Sequence, residues 1–347
     1  MSWVEYLNDT TDQLRWVRWT GNEWSEPVTI ATGSDWFVNW ADFPSLTAFG
    51  EGKSLAAHWL QKSAGGTYDY EVRVSISNDK GQTWEPSFVL HRDSIPAEHG
   101  FVTMKPYGDD QLMAVWLDGR FTKTDDGAMT LRSATFDTGG NLSNQVELDH
   151  RICDCCQTDL VVDGEEAMVV YRDRSEGEIR DISFVRKTAD GWSAPQPVHA
   201  DDWLIAGCPV NGPAVSKNKA GYWTAWFTGA DNVPKVYAAR MAPDGQSFGD
   251  TLRLDFGNPL GRVDVATIQD QVYISWMENG EEGEADICLA LVEEDGVLYR
   301  EKIVTTSGAR SAGFPVLAVL DNHSLLLSRT QVNENGQYVQ VEKIDIQ

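Results

Sequence analysis

Ala56-Ala57-His58-Trp59 is a short apolar run that closes on a large residue. The same design returns at Met113-Ala114-Val115-Trp116, Met168-Val169-Val170-Tyr171, Tyr222 to Trp226, Val272 to Trp276 and Leu325 to Arg329. The end positions step by 57, 55, 55, 50 and 53 residues, a period that marks repeated supersecondary units. Each run follows another apolar stretch across a turn: Phe43 to Phe49, Phe101 to Pro106, Thr158 to Val162, Pro213 to Ser216, Val263 to Ile268 and Phe314 to Leu320. Third stretches come after most of them, at Tyr70 to Ser77, Ala128 to Phe136, Arg180 to Arg186 and Asp286 to Val292. Short fourth stretches follow at Ser87 to Leu90 and Gln196 to His199. Four strands per unit, six times, predict an all-β fold: a six-bladed β-propeller of four-stranded antiparallel blades. Leu14 to Trp19 and Pro27 to Ile30 have no partners upstream, so the ring is expected to close by joining N- and C-terminal strands. Residues 1–347 then form a single domain without a linker.

Composition agrees with β structure. Trp, Tyr, Phe, Val and Thr are plentiful, and turn dipeptides recur at Gly21-Asn22, Asp126-Gly127, Asp244-Gly245, Asn279-Gly280 and Asn335-Gly336. The chain carries 28 basic against 53 acidic residues, a formal charge of -25 spread along its length. Such a surface repels nucleic acid and anionic membrane, so neither is an expected partner. No stretch of about 20 apolar residues suggests a membrane span. Met1-Ser2-Trp3-Val4-Glu5 lacks a basic segment leading into an apolar one. The protein is therefore either cytoplasmic or a mature form without its leader, and the extracytoplasmic setting is favoured. The sequence does not specify an oligomeric state.

Ser77-Asn78-Asp79-Lys80-Gly81-Gln82-Thr83-Trp84 carries the pattern Ser-x-Asp-x-Gly-x-Thr-Trp. It resembles the Asp-box, or BNR repeat, of sialidase-like propellers. Weaker echoes lie at Gly21 to Pro27, Asp190 to Pro195 and Asp244 to Phe248, each setting an aromatic residue before a fourth strand. Asp79 and Gly81 suit a tight turn and Trp84 suits packing between units, so Asp79 is read as structural.

The resemblance also implies where a site would lie. In such propellers, loops before first strands and after second strands share one face. Asp42, His99, Cys153, Asp154, Cys155, Cys156, Cys208, Asn211, Arg262 and Arg310 precede first strands. Asp118, Arg120, Arg172, Asp173, Arg174 and Glu278 follow second strands. A sialidase-like reading assigns Asp42 or Asp118 as the acid/base, and Arg120, Arg172, Arg174 and Arg262 as cations for a substrate carboxylate, since a guanidinium binds carboxylate bidentately. It implies a glycan-directed hydrolase, or a relative that has lost turnover, acting on or binding an acidic sugar. The chain departs from the family in lacking an N-terminal Arg-Ile-Pro and a late-blade Tyr with a Glu partner.

Three of the five cysteines fall at Cys153, Cys155 and Cys156. With Cys208 and His99 they offer soft ligands for Cu or Zn, which gives a competing reading as a non-hydrolytic metal or thiol protein. A disulfide from one of the three to Cys208 is the structural alternative, and connectivity is not legible from spacing. Cys288 falls in a third strand, where burial is expected.

Overall fold

The computed structural model describes residues 1–124, 127–242, 245–334 and 336–346. The turn positions Asp126, Asp244 and Asn335 lie outside the described residues.

Second strands are interior to each sheet, hydrogen-bonded along both edges. Ser54–Lys62 is buried along most of its length, as are Gln111–Asp118 and Gln271–Asn279. A strand covered on both faces reads as a continuous apolar run rather than an alternation, which is why these segments carry the visible period. Burying each large side chain, such as Trp116 or Trp276, contributes roughly 1.5–3 kcal/mol.

Seven antiparallel sheets follow one another among the described residues, each a propeller blade of three to five strands. The first holds Ser2–Asn8, Thr11–Trp16 and Val28–Gly33 (β1–β3), and the second Leu46–Phe49, Ser54–Lys62, Tyr70–Ser77 and Phe88–Val89 (β4–β7). The third holds His99–Tyr107, Gln111–Asp118, Thr130–Asp137 and Leu142–Asp149 (β8–β11). Next come Asp159–Asp163, Glu166–Arg172, Ile182–Thr188, Gly191–Trp192 and Gln196–Pro197 (β12–β16), then Ala214–Asn218, Gly221–Thr228, Lys235–Arg240 and Leu252–Arg253 (β17–β20). Pro259–Ile268, Gln271–Asn279, Glu284–Glu293 and Gly296–Ser307 (β21–β24) precede Val316–Asp321, Ser324–Asn333 and Gly336–Asp345 (β25–β27).

The expected six blades are thus corrected to seven, and the expected joining of terminal strands is replaced by two self-contained sheets. The physical reason lies in β1. It pairs with β2 in the register Ser2↔Trp16 and Val4↔Leu14, giving β2 a local partner at the edge expected to have none upstream. The terminal ammonium anchors the start by donating to the Val17 carbonyl at 2.9 Å.

The chain packs as two compact units. The first comprises Met1–Asp154, Val162–Ala167 and Lys187–Trp192, and the second the remainder. Within the first unit, one core joins Leu14, Trp16 and Ile30 to Leu55, Ala57 and Trp59, and another joins Val72, Val74 and Ile76 to Leu112, Ala114 and Trp116. Within the second, Trp223 and Ala238 pack with Ile274 and Trp276. Leu325 and Leu327 pack with Ile287 and Leu289.

The Ser77–Trp84 turn shows how the first unit is locked. Asp79 Oδ1 accepts the Gln82 and Thr83 N–H groups, both at 2.9 Å, and Thr83 Oγ1 donates to Oδ2 at 2.6 Å. These bonds, led by the Thr83 hydroxyl, lower the Asp79 carboxyl to about 2. Gly81 has φ +83°, and a Cβ there would run into the Trp16 ring, so only glycine fits.

Candidate functional site

The first unit gathers two buried carboxyls on one phenol. The β8 strand bulges after Gly100, and Phe101 takes φ 52°. Its N–H donates to Asp42 Oδ1 at 2.8 Å, and a Cβ on Gly100 would collide with Asp42 Oδ2. Tyr70 Oη, at the start of β6, lies 3.1 Å from Asp42 Oδ2 and 2.9 Å from Glu98 Oε1. One hydroxyl proton cannot serve two carboxylates, so the arrangement favours a further proton on one of them. Burial pushes Asp42 up to about 7 against the opposing bonds from Phe101 and Tyr70. Burial, with the charges of Asp42 and Asp154 added, pushes Glu98 up to about 8. Burial likewise raises the Tyr70 phenol well above its ordinary value. Phe37 stacks on the Tyr70 ring at 4.2 Å. Tyr70 and Asp42 are 0% and 2% exposed, whereas Glu98 is half-buried and forms the accessible member of the group.

Next to Glu98, His99 turns inward. Its Nδ1 faces the carbonyls of Ala97 and Tyr70 at 3.1 and 3.2 Å, and its Nε2 faces Asp93 at 3.3 Å and Asp118 at 3.6 Å. Burial alone would lower the imidazole, but Asp93 and Asp118 outweigh it and raise it. Acceptors on both nitrogens favour the imidazolium. Asp118 also accepts from Trp116 Nε1 at 2.8 Å and from Arg120 Nη2 at 2.6 Å. Burial would raise Asp118, but Arg120, His99 and Trp116 together hold it below its ordinary value. Asp118 is therefore held as an anion, whereas Glu98 and Asp42 are the carboxyls whose proton affinity is raised.

His91, Asp93 and His99 place ligand atoms within 4.8 Å of one another, but they do not fit a metal ion. The two imidazoles stack at 3.7 Å with 4° between planes, so no single point lies in both ring planes, where the nitrogen lone pairs point. Arg120 Nη2 already stands 3.0 Å from Asp93. A cavity of about 450 Å³ lies at the far end of β8, lined by Tyr107, Asp109, Val162 and Glu165. It does not include the carboxyl pair.

The other expected residues lie in the second unit, apart from Cys153, which belongs to the first. Arg172, 1% exposed, donates to the carbonyls of Asn211, Arg180 and Phe227 at 2.6 to 2.9 Å and lies over the Trp203 ring at 5.0 Å. Its guanidinium is committed to backbone. Arg174 pairs with Glu178 at 2.7 Å. Arg262 Nη1 donates to the Gly313 carbonyl at 2.6 Å; burial, with Arg310 nearby, lowers it to about 10. Cys155 and Cys208 are joined by a disulfide, so neither is a thiolate donor in this state. His99, engaged by Asp93 and Asp118, is likewise committed elsewhere. Cys153 and Cys156 are buried and outside the disulfide, and Asn211 N–H points at Cys156 Sγ from 3.4 Å. Cys288 lies in the core, its thiol pushed up to about 12 by burial.

Asp42 thus meets Glu98 through Tyr70, while His99, Asp118 and Arg120 meet one another; Glu98 and Tyr70 were not among the expected site residues. Glu98 carried a usable signal: it stands in the loop before β8, the same kind of position as Asp42. Tyr70 gave none, because third-strand residues are ordinarily packing residues.

No family model matches the chain, and no curated protein matches it in sequence. Solved structures do match. A Penicillium chrysogenum α-L-arabinanase complexed with arabinobiose shares 15% identity at TM-score 0.58, covering 90% of this chain and 95% of that one. A Dyadobacter fermentans protein of unknown function shares 13% at TM-score 0.59, covering 88% and 94%. A phage phi92 endosialidase shares 10% at TM-score 0.56, covering 96% and 72%. At such identities the likeness shows the fold alone.

Proposed function

We propose that this protein is a glycan-directed hydrolase in which Glu98 is the general acid, held by Tyr70 and backed by Asp42. The observation that carries the reading is Tyr70 Oη between two carboxyls whose proton affinity burial has raised. A carboxyl pushed up to about 8 stays protonated at neutral pH and can deliver that proton to a leaving glycosidic oxygen. Separation by a single phenol oxygen caps the distance between the nearest oxygens of the two carboxyls at the sum of the two hydrogen bonds. That is shorter than the roughly 6.5–9.5 Å between the carboxyl groups of inverting hydrolases. The fold it shares with a protein named as an arabinanase supports a glycan substrate.

The sugar is neutral in this reading. An acidic sugar needs a cation with spare donors, whereas Arg172 is spent on carbonyls and Arg120 on Asp93 and Asp118. Asp154, and Asp42 once ionised, add negative potential beside Glu98, where a substrate carboxylate would sit. The Cys155–Cys208 disulfide supports an oxidising, extracytoplasmic setting.

The test is turnover of neutral fluorogenic glycosides and linear arabinan beside a fluorogenic sialoside, in the intact protein and in Glu98→Gln. Cleavage of a neutral substrate that disappears in Glu98→Gln is the expected result. Cleavage that survives the substitution, or none across the panel, would overturn the proposal.

A further inference from the structure

The second unit holds a group of sulfurs that the proposed hydrolysis does not use. Cys155 and Cys156 Sγ lie within 4.8 Å of each other, and Cys208 Sγ is bonded to Cys155. Three sulfurs thus share one small volume, brought together by the loops before β12 and β17. The Asn211 N–H aims at Cys156 Sγ from 3.4 Å and holds that sulfur in place. The Asn211 carbonyl in turn holds the Arg172 guanidinium, whose described hydrogen bonds all end on neutral carbonyls. Asn211 therefore links Cys156 Sγ to a buried cation through its own backbone.

We infer that Cys155, Cys156 and Cys208 form a redox-gated site for a soft monovalent cation, Cu(I). The site is closed while the disulfide stands. A dithiol reductant opens it: the Cys155–Cys208 bond breaks, the dithiol supplies two electrons and two protons, and it leaves as its own disulfide. Cu(I) then replaces the protons of the three thiols, which pass to solvent. Three thiolates suit Cu(I) because soft ligands select it and because no fourth donor is required. Bound metal would be felt at Arg172 and Arg262, since Asn211 also accepts the Arg262 N–H at 2.7 Å through Oδ1.

The experiment titrates the full chain, oxidised or reduced and desalted under anaerobic conditions, with Cu(I) in competition with bicinchoninate. Reduced protein should withdraw one Cu(I) per chain and oxidised protein none. Cys156→Ser should weaken binding by more than the roughly 10–100-fold that loss of an outer-shell partner costs, whereas Cys288→Ser should not. Mass spectrometry after alkylation of the intact protein gives a second reading that needs no variant: Cu(I) should protect Cys155, Cys156 and Cys208. Withdrawal by the oxidised form, no withdrawal by the reduced form, or protection confined to other cysteines would overturn the inference.

Discussion

Asp42 and Asn211 perform the same task in different blades: Asp42 Oδ1 accepts the Phe101 N–H at 2.8 Å, and Asn211 Oδ1 accepts the Arg262 N–H at 2.7 Å. Both donors sit in left-handed backbone, at φ 52° and 55°, directly after a glycine whose Cβ would strike the accepting side chain. The anchor needs a carbonyl-type oxygen and no charge. Asp42→Asn should therefore cost less than about 1 kcal/mol, whereas Asp42→Ala strands the Phe101 N–H and should cost roughly 1–3 kcal/mol. Urea unfolding of both variants measures the difference; equal losses would show that the anchor is unimportant.

Stability should fall as pH rises from about 4.5 to about 8. Glu98 moves from 4.5 to about 8 and Asp42 from 3.8 to about 7 on folding. The folded state thus binds more protons across that window, and the contribution present below the unfolded values is lost as pH passes the folded ones. His99, also raised, acts in the same direction above its ordinary value. Asp118, held low, contributes the opposite slope only in acid. Thermal melts across this range should show the decline, and Glu98→Gln should flatten it.

Arg172→Ala should destabilise by about 3–5 kcal/mol, because the carbonyls of Asn211, Arg180 and Phe227 lose a common donor inside the fold. Arg172→Lys should recover only part of this, since an ammonium lacks the planar fork that reaches all three. Near-ultraviolet circular dichroism during denaturation reports it. A variant that folds as the parent does but loses ligand affinity would instead make Arg172 a substrate contact.

Gly81→Ala combines positive φ with a collision against Trp16, whose indole N–H also donates to the Gly81 carbonyl at 3.1 Å. A loss of roughly 1–3 kcal/mol is expected, read as a lower melting temperature. Asp79→Asn, which keeps one acceptor oxygen in the turn, should lose less.

The repeat was legible because second strands are covered on both faces, so their apolar runs survive as a period in one dimension. Blade number was not. From Trp16 to Trp59, the corresponding step is 43 residues, well short of the others. β1 alternates weakly and buries little, so its sequence gives no apolar run to count. Loop position singled out Asp42, His99, Asp118 and Arg120 as candidates. The fate of the arginines did not, because whether a guanidinium faces solvent or spends its donors on carbonyls depends on the path of three distant backbone segments.

The sequence by itself determined that the chain builds antiparallel blades and that its Ser77–Trp84 turn must be tight, since both rest on local pattern and on residue chemistry. Tertiary structure alone decided that Tyr70 stands between Asp42 and Glu98. Each of those carboxyls lies 28 residues from it along the chain, and the bulge at Phe101 and the pairing of β8 with β9 set where the groups meet. Burial then raises their proton affinity, and burial is a property of the packed molecule rather than of any residue within it.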